Sequence, residues 1–308
     1  MLEVVGSVLL LLVSTVVFVN GVEALAGRLG LTRFAAGALL AAVLTALPET
    51  VITLLSPFHQ TRQAGMVGMG SVLAAPSITL LIGAPVVALF WRRPNISKGV
   101  AKNYVYFLLF MSTALLLSQL SLGPYKYLYG LVFLSAYVYM AHSIYVEEGE
   151  GFEAAGISVF EKIFGFRNTG LVGLQAGLSA VGLTVGADVF IEVVSSSASP
   201  LANTLLISPL ATCLQEVLLA SYWMLRQKAD ISISLLSGEN LIQSTFVAGV
   251  GMVFTDWSLP TTSLSVLTVY AAAAAVLSLT AYLNKFKLGG VVMSLYPAYV
   301  LASLAVSA

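Results

Sequence analysis

The sequence predicts an all-α integral membrane protein of ten transmembrane helices, arranged as two inverted repeats of five. Three observations predict it. The 308 residues are 58% hydrophobic and only 9% charged, where soluble domains carry about 25% charged residues. The apolar runs are about 20 residues long and continuous, which suits spanning helices, whereas a barrel strand needs about 10 residues with polar alternation. Finally, a costly carboxylate recurs: Glu49 lies in one apolar run and Glu216 in another, 167 residues later, with similar neighbours.

Ten apolar segments follow in order, at 2–22, 34–57, 66–90, 101–120, 127–146, 169–194, 201–225, 232–255, 263–283 and 288–307. At 1.5 Å per residue each is long enough, at roughly 30 Å, to cross the hydrocarbon. The first has only Glu3 ahead of it and no basic leader, so it is expected to be a retained helix rather than a signal peptide. In the third, Pro76 and Pro85 are expected to kink the helix, while Gly65, Gly68 and Gly70 permit close helix approach. Tyr125, Tyr127, Tyr129, Tyr137 and Tyr139 in the fifth suit an aromatic belt and packing.

Residues 147–168 carry five glutamates and divide the chain into a first repeat, 1–146, and a second, 169–308. The apolar spacing at the end of this linker predicts a short amphipathic helix at the interface. Alternating the loops between two sides puts Arg28, Arg33, Arg92, Arg93, Lys98, Lys102, Lys162, Arg167, Arg226, Lys228, Lys285 and Lys287 on one, and Arg62 and Lys126 on the other. Twelve against two is a positive-inside bias. It predicts a multi-pass cell-membrane protein with extracytoplasmic termini and a cytoplasmic linker.

Five helices per half means that the second half enters the membrane from the opposite side, so homologous halves form an inverted repeat. A shift of 167 aligns Leu39 with Leu206, Thr45 with Thr212, Leu47 with Leu214 and Glu49 with Glu216; one inserted residue then sets Ser71 on Glu239, Thr79 on Val247 and Gly83 on Gly251. Transporters with inverted repeats place their sites near the midplane on broken helices.

An ionised side chain at the centre of a spanning helix costs about 2.5 to 3.5 kcal/mol on insertion scales. In LTALPET, Pro48 removes a backbone donor and opens the helix near Thr45 and Leu44. Freed carbonyls, a hydroxyl and a carboxylate make an oxygen-rich cluster, and hard cations such as Ca²⁺ take six to eight such ligands. Thr45 and Glu49, like Thr212 and Glu216, are spaced i to i+4, which puts each pair on one helical face. The two carboxylates are expected to face each other and bind a cation.

TALPE, preceded by GALLAAVL, resembles the first alpha repeat of the cation/Ca²⁺ exchanger superfamily, whose sodium/calcium exchangers carry a G-T-S-L-P-E type motif; ATCLQE resembles a degenerate second copy. The resemblance covers nearly the whole chain and implies cation exchange by alternating access. It makes Glu49 and Glu216 the Ca²⁺ ligands, with Thr45 and Thr212 adding oxygens. The motif serine is Ala46 in one half and Cys213 in the other, neither a useful hard-cation ligand. Gly70 and Ser71 match a third-helix pattern whose asparagine falls at Ala75. In GENLIQ, Glu239 stands where serine is usual and Gln243 where asparagine or aspartate is expected, while Gln215 replaces the second proline.

The expected cation-binding residues are therefore Glu49, Glu216, Thr45, Thr212, Ser71, Glu239 and Gln243. The changed neighbours bear on the Na⁺ sites implied by the resemblance, and a third carboxylate keeps proton coupling open. A channel with a carboxylate ring is a further alternative. Net charge is zero and no basic run is dense, so nucleic acid is no expected partner. No nucleophile–base pairing indicates an enzyme, and one cysteine excludes an intrachain disulfide or a cysteine metal cluster. No cofactor is expected; the partners are small cations and the bilayer, with the monomer sufficient for function. Asp188 and Glu192, four apart, are expected at the extracytoplasmic interface rather than in a vestibule; His59 and His142 are expected near helix ends. Gln175 and Gln119 suit interhelical hydrogen bonds, Cys213 a small buried apolar role, and Gly238 and Asn240 leave GEN open as a helix end.

Overall fold

The computed structural model describes residues 2–28, 46–146, 157–225 and 229–306. Every regular element among them is helical. In chain order they are α1 (Leu2–Arg28), α2 (Leu47–Leu55), α3 (Arg62–Leu89), α4 (Lys98–Leu117), α5 (Tyr125–Val146), the short α6 (Val159–Phe164), α7 (Thr169–Ser195), α8 (Pro200–Thr212), α9 (Leu214–Leu225), α10 (229–254), α11 (Leu264–Tyr282) and α12 (Tyr296–Ala305), the last continuing a 3₁₀ stretch, Phe286–Leu295. Five helical stretches among the described residues are long and apolar enough to cross a membrane: α3, α4, α7, Thr261–Tyr282 and Phe286–Ala305. The predicted seventh segment is split between α8 and α9, and neither piece spans alone.

Packing relates the halves by exchange. Helix α1 lies along α7, and α4 along α11, so the first and fourth helices of one half each meet their counterparts in the other. The fifth helices also cross over: α5 packs on the end of α10, with Tyr137 against Phe246 at 5.5 Å, and the 3₁₀ stretch packs on the end of α3, with Trp91 edge-on to Phe286 at 5.6 Å. This is the pattern of an inverted repeat. The α1–α7 crossing depends on small residues, since a Cβ on Gly182 would lie 2.3 Å from Ser14 Oγ and one on Gly186 3.2 Å from the Leu11 backbone nitrogen. Gly68 and Gly70 likewise meet Ser56 and the α8 residues Leu201 and Thr204, but Gly65 faces open space. The expected close approach therefore involves two of those three glycines.

One apolar core, around Tyr104, Phe107, Trp257, Tyr270 and Tyr299, joins α3, α4, α10, α11 and α12. A smaller one, with Leu11, Ile52, Val67, Leu183 and Phe190, attaches the α1–α7 pair to α2 and α3. The fifth-helix tyrosines behave as expected: Tyr125, Tyr127, Tyr129 and Tyr139 are exposed on the bundle's flank. Helix α6 opens on a capping box in which Ser158 and Glu161 each satisfy the other's backbone. It is held to the α1–α7 pair through Gln175: Nε2 donates to the Val17 carbonyl at 2.7 Å, and Oε1 accepts from the Phe160 backbone at 2.8 Å. The expected interhelical role of Gln175 is met, while Gln119 donates to neighbouring Ser118 and reaches the Leu259 carbonyl at 3.5 Å.

Candidate functional site

The helices that carry the candidate ligands are irregular where the ligands sit. Helix α2 begins at Leu47, one residue after the turn at Ala46, with Pro48 in its first turn and Glu49 beside it. Helix α8 ends at Thr212, Cys213 is a turn, and α9 begins at Leu214 with Glu216 in its first turn. Thr212 and Glu216 therefore belong to different helices, and the i to i+4 spacing does not describe one continuous face. The position matching Pro48 is Gln215, and the proline nearest the turn, Pro209, lies inside the continuous helix α8. Lacking an N–H, proline leaves the carbonyl four residues before it without its helical donor.

In α3 the helix is interrupted at Ala75, just before Pro76, and Thr79–Gly83 widens into a π-turn before Pro85. Helix α10 contains no proline but has its own π-turn, Gln243–Val247. Single π-turns mark functional sites in many helices, because they turn backbone groups and side chains out of the regular ladder. Glu239 and Asn240 lie within the helical run before that turn and are fully buried. GEN is thus helix interior, not a helix end near water.

Glu49, Glu216 and Glu239 are each 0% exposed. Glu49 Oε1 accepts from the Cys213 thiol of the opposite half at 3.0 Å, and the Thr212 hydroxyl and Gln243 amide are within its reach. Gln243 Nε2 donates to Glu239 Oε1 at 2.9 Å. All three carboxylates are close enough to Cys213 to act on it electrostatically. Glu49 of the first half thus meets Thr212, Glu216 and Glu239 of the second around Cys213, which packs against Ala75 and Ile78 and also donates a hydrogen bond across the halves. Thr212 donates to the Ser208 carbonyl at 2.9 Å. Ser71 is buried on α3. Thr45 lies outside the described residues.

Several buried acceptors in this region have no hydrogen-bond partner among the described residues, including Glu49 Oε2, Gln243 Oε1 and the hydroxyls of Ser71 and Ser208. A buried charge or unpaired polar atom is costly unless it is compensated. An oxygen-binding cation would compensate several of them at once. No three His, Cys, Asp or Glu side chains among the described residues gather closely enough to hold a metal on their own. Neutral oxygens from hydroxyls, amides and opened backbone must therefore complete any shell, as hard cations accept.

Sequence reasoning missed Asn240, whose Oδ1 accepts from the Thr79 hydroxyl at 3.0 Å across the two halves. The signal was available: Asn240 lies three residues before Gln243 in GENLIQ. The other polar residues remain outside the cluster. His59 meets Asp188 at 3.0 Å on the exposed side of α7, and exposed Glu192 does not join them in a vestibule. His142 is exposed near the end of α5.

Solved structures similar to this chain share its fold at low identity. The H⁺/Ca²⁺ exchanger CAX matches with a TM-score of 0.78 and 16% identity over 99% of this chain and 84% of that one. The sodium-calcium exchanger NCX_Mj, soaked with Na⁺ and Sr²⁺, matches at 0.64 and 20% over 97% and 98%, and in a soak with Na⁺ and Ca²⁺ at 0.62 and 18% over 96% and 95%. A search of curated protein sequences finds no match. The family model for the sodium/calcium exchanger protein matches residues 2–145 and 172–305, one block on each side of the linker. With two matched blocks, ten predicted spans exchanged across a pseudo-twofold, and buried glutamates where the helices break, this multi-pass membrane protein belongs to the sodium/calcium exchanger family.

Proposed function

We propose that the chain is a secondary active antiporter that exchanges Ca²⁺, or a similar divalent cation, for Na⁺ by alternating access. The repeats 1–146 and 169–308 are the two structural units, joined by the cytoplasmic linker 147–168, with both termini outside the cytoplasm. The observation that carries the reading is Glu49: a fully buried carboxylate at a helix start, touching Cys213 of the opposite half, with one oxygen left unpaired. Glu49 and Glu216 bind the divalent ion, and Thr45, Thr212, Ser71, Glu239 and Gln243 complete the cation sites.

The chemistry of exchange follows from burial. Two or three carboxylates inside an apolar bundle repel one another when empty, which makes an unloaded site expensive to enclose. A bound divalent ion neutralises them, and so does a set of monovalent ions. Both occupants thereby permit the switch between sides, and competition for the same oxygens couples their movements. The matching CAX structure is of an H⁺/Ca²⁺ exchanger, and Glu239, hydrogen-bonded to Gln243, adds the third carboxylate that an H⁺-coupled version would use.

Uptake of ⁴⁵Ca²⁺ into proteoliposomes under imposed Na⁺, H⁺ or K⁺ gradients tests the class and the coupling ion together. Uptake driven by an outward Na⁺ gradient is expected. Flux with no counter-ion gradient, at rates far above exchange, would instead identify a channel.

A further inference from the structure

Two buried tyrosines lie behind the cation site and outside the ligand set described above. Tyr270 on α11 and Tyr299 on α12 are 0% and 1% exposed, and their rings stack at 5.6 Å and 18°. Their hydroxyls lie close to one another, and each reaches a backbone carbonyl of a further helix. Tyr299 donates to the Leu205 carbonyl of α8 at 2.7 Å, and Tyr270 donates to the Leu73 carbonyl of α3 at 2.6 Å. Leu205 is the residue four before Pro209, so its carbonyl is the one that the proline cannot serve. Leu73 lies in the last turn before the interruption at Ala75 and Pro76. Each tyrosine therefore caps a carbonyl close to a helix-embedded proline, Pro76 in the first half and Pro209 in the second.

The two capped turns adjoin candidate ligands. Ser71 is two residues before Leu73, and Ser208 and Thr212 follow Leu205 on α8. Unsatisfied, each carbonyl would be a buried acceptor without a donor, which favours re-forming or twisting the helix to find one. The pseudo-equivalent tyrosine in the first half, Tyr104 on α4, is also fully buried, but its hydroxyl has no partner among the described residues. The helix it would serve by symmetry, α10, has no proline. The capping function is thus confined to the half-site pair that contains prolines.

We infer that Tyr270 and Tyr299 are positioning residues: the stacked pair holds the proline-bearing turns of α3 and α8 in a fixed mutual setting and so sets the spacing of Ser71, Ser208 and Thr212 around a bound cation. This inference rests on the antiporter reading for its functional consequence and on the hydrogen bonds alone for its structural part. The two parts are tested separately.

The functional part is tested with Tyr270→Phe and Tyr299→Phe, which remove only a hydroxyl. Purified variants in proteoliposomes are expected to raise the KM for ⁴⁵Ca²⁺ threefold or more, with maximal rate within twofold of wild type. An unchanged KM in both, with wild type transporting, would overturn it. The structural part is tested by thermal unfolding in detergent, where transport is not needed. Pro209→Ala returns a backbone donor to Leu205, so Tyr299→Phe should lower the melting temperature in the parent chain but not in the Pro209→Ala background. Equal losses in both backgrounds would overturn the capping role. Should wild type move no divalent cation under any gradient, the antiporter reading fails, and the unfolding comparison still decides whether the tyrosine serves the carbonyl that Pro209 leaves without a donor.

Discussion

Ala46 and Cys213 occupy the same register position, 167 residues apart, and in each half a short helix starts at the next residue with a buried glutamate in its first turn. The backbone reaches that result in two ways. In the first half Pro48 sits inside the new helix; in the second, Pro209 lies upstream and Gln215 occupies the matching place. The chemistry around the glutamates diverges further. The first half offers Thr45, Glu49 and Ser71 with alanines at 46 and 75, whereas the second supplies Thr212, Cys213, Glu216, Glu239, Asn240 and Gln243. What recurs in both halves is a threonine and a carboxylate four residues apart; what differs is most of the other polar side chains. In the proposed antiporter the repeated pair holds the divalent ion, and the unmatched second-half set is expected to decide what competes with it.

The sharpest way to break this comparison is to remove the repeated element. Glu49→Gln and Glu216→Gln are each expected to lower ⁴⁵Ca²⁺ uptake roughly 100-fold or more, the size of losing about 3 kcal/mol from a buried charge interaction. Near-wild-type uptake in either variant would mean that the halves are not equivalent in the way proposed. Glu239 is unmatched, since its partner position is Ser71. Glu239→Gln should leave divalent binding within a few-fold and shift the dependence on the coupling gradient by about tenfold, near 1.4 kcal/mol. Initial rates measured against a series of Na⁺ and H⁺ gradients check this. A collapse of divalent uptake itself would place Glu239 with the repeated pair.

Cys213 gives a finer test, because it is the second-half counterpart of an alanine and touches the first-half glutamate. Cys213→Ser keeps a donor to Glu49 and substitutes a harder oxygen for sulfur, so the KM for Ca²⁺ should fall about threefold while uptake of a softer ion such as Cd²⁺ weakens. Competition of Cd²⁺ against ⁴⁵Ca²⁺ in both proteins reads this directly. Equal selectivity in the two would remove the thiol from the ion's surroundings.

The same contrast explains how much was legible in the sequence. Ten apolar runs and the polar linker located the helices because membrane-spanning length and hydropathy are local properties. Glu49 and Glu216 were found because a carboxylate in an apolar run is rare whatever surrounds it. The split between α8 and α9 has no local signal: the matching motif position is Gln215, and Pro209 lies inside α8 rather than at the turn. Asn240 was read as tolerant of a helix end because GEN is polar locally, and only packing against Thr79 of the other half gives it an interior role. Tyr270 and Tyr299 were illegible for the same reason. Their hydroxyls meet carbonyls 197 and 94 residues away, a pairing that no local pattern announces.

The smallest expected effect concerns an exposed polar contact that has no counterpart among the buried carboxylates. His59, at the end of the 3₁₀ turn after α2, contacts Asp188 on α7 at 3.0 Å, with side chains 22% and 60% exposed. It links the α1–α7 pair to the helices bearing Glu49, so a geometric view alone would make it a latch. Exposure argues otherwise: water and salt screen the pair, and such contacts contribute about 0.2 to 1 kcal/mol. Asp188→Asn should therefore change thermal stability by no more than about 0.5 kcal/mol and leave the Ca²⁺ KM within about twofold, equivalent to less than about 0.5 kcal/mol. A larger loss, abolished at high ionic strength, would show that an exposed contact between these two groups of helices matters as much as a ligand inside the site, and would move the functional asymmetry from the second-half ligands to the α1–α7 pair.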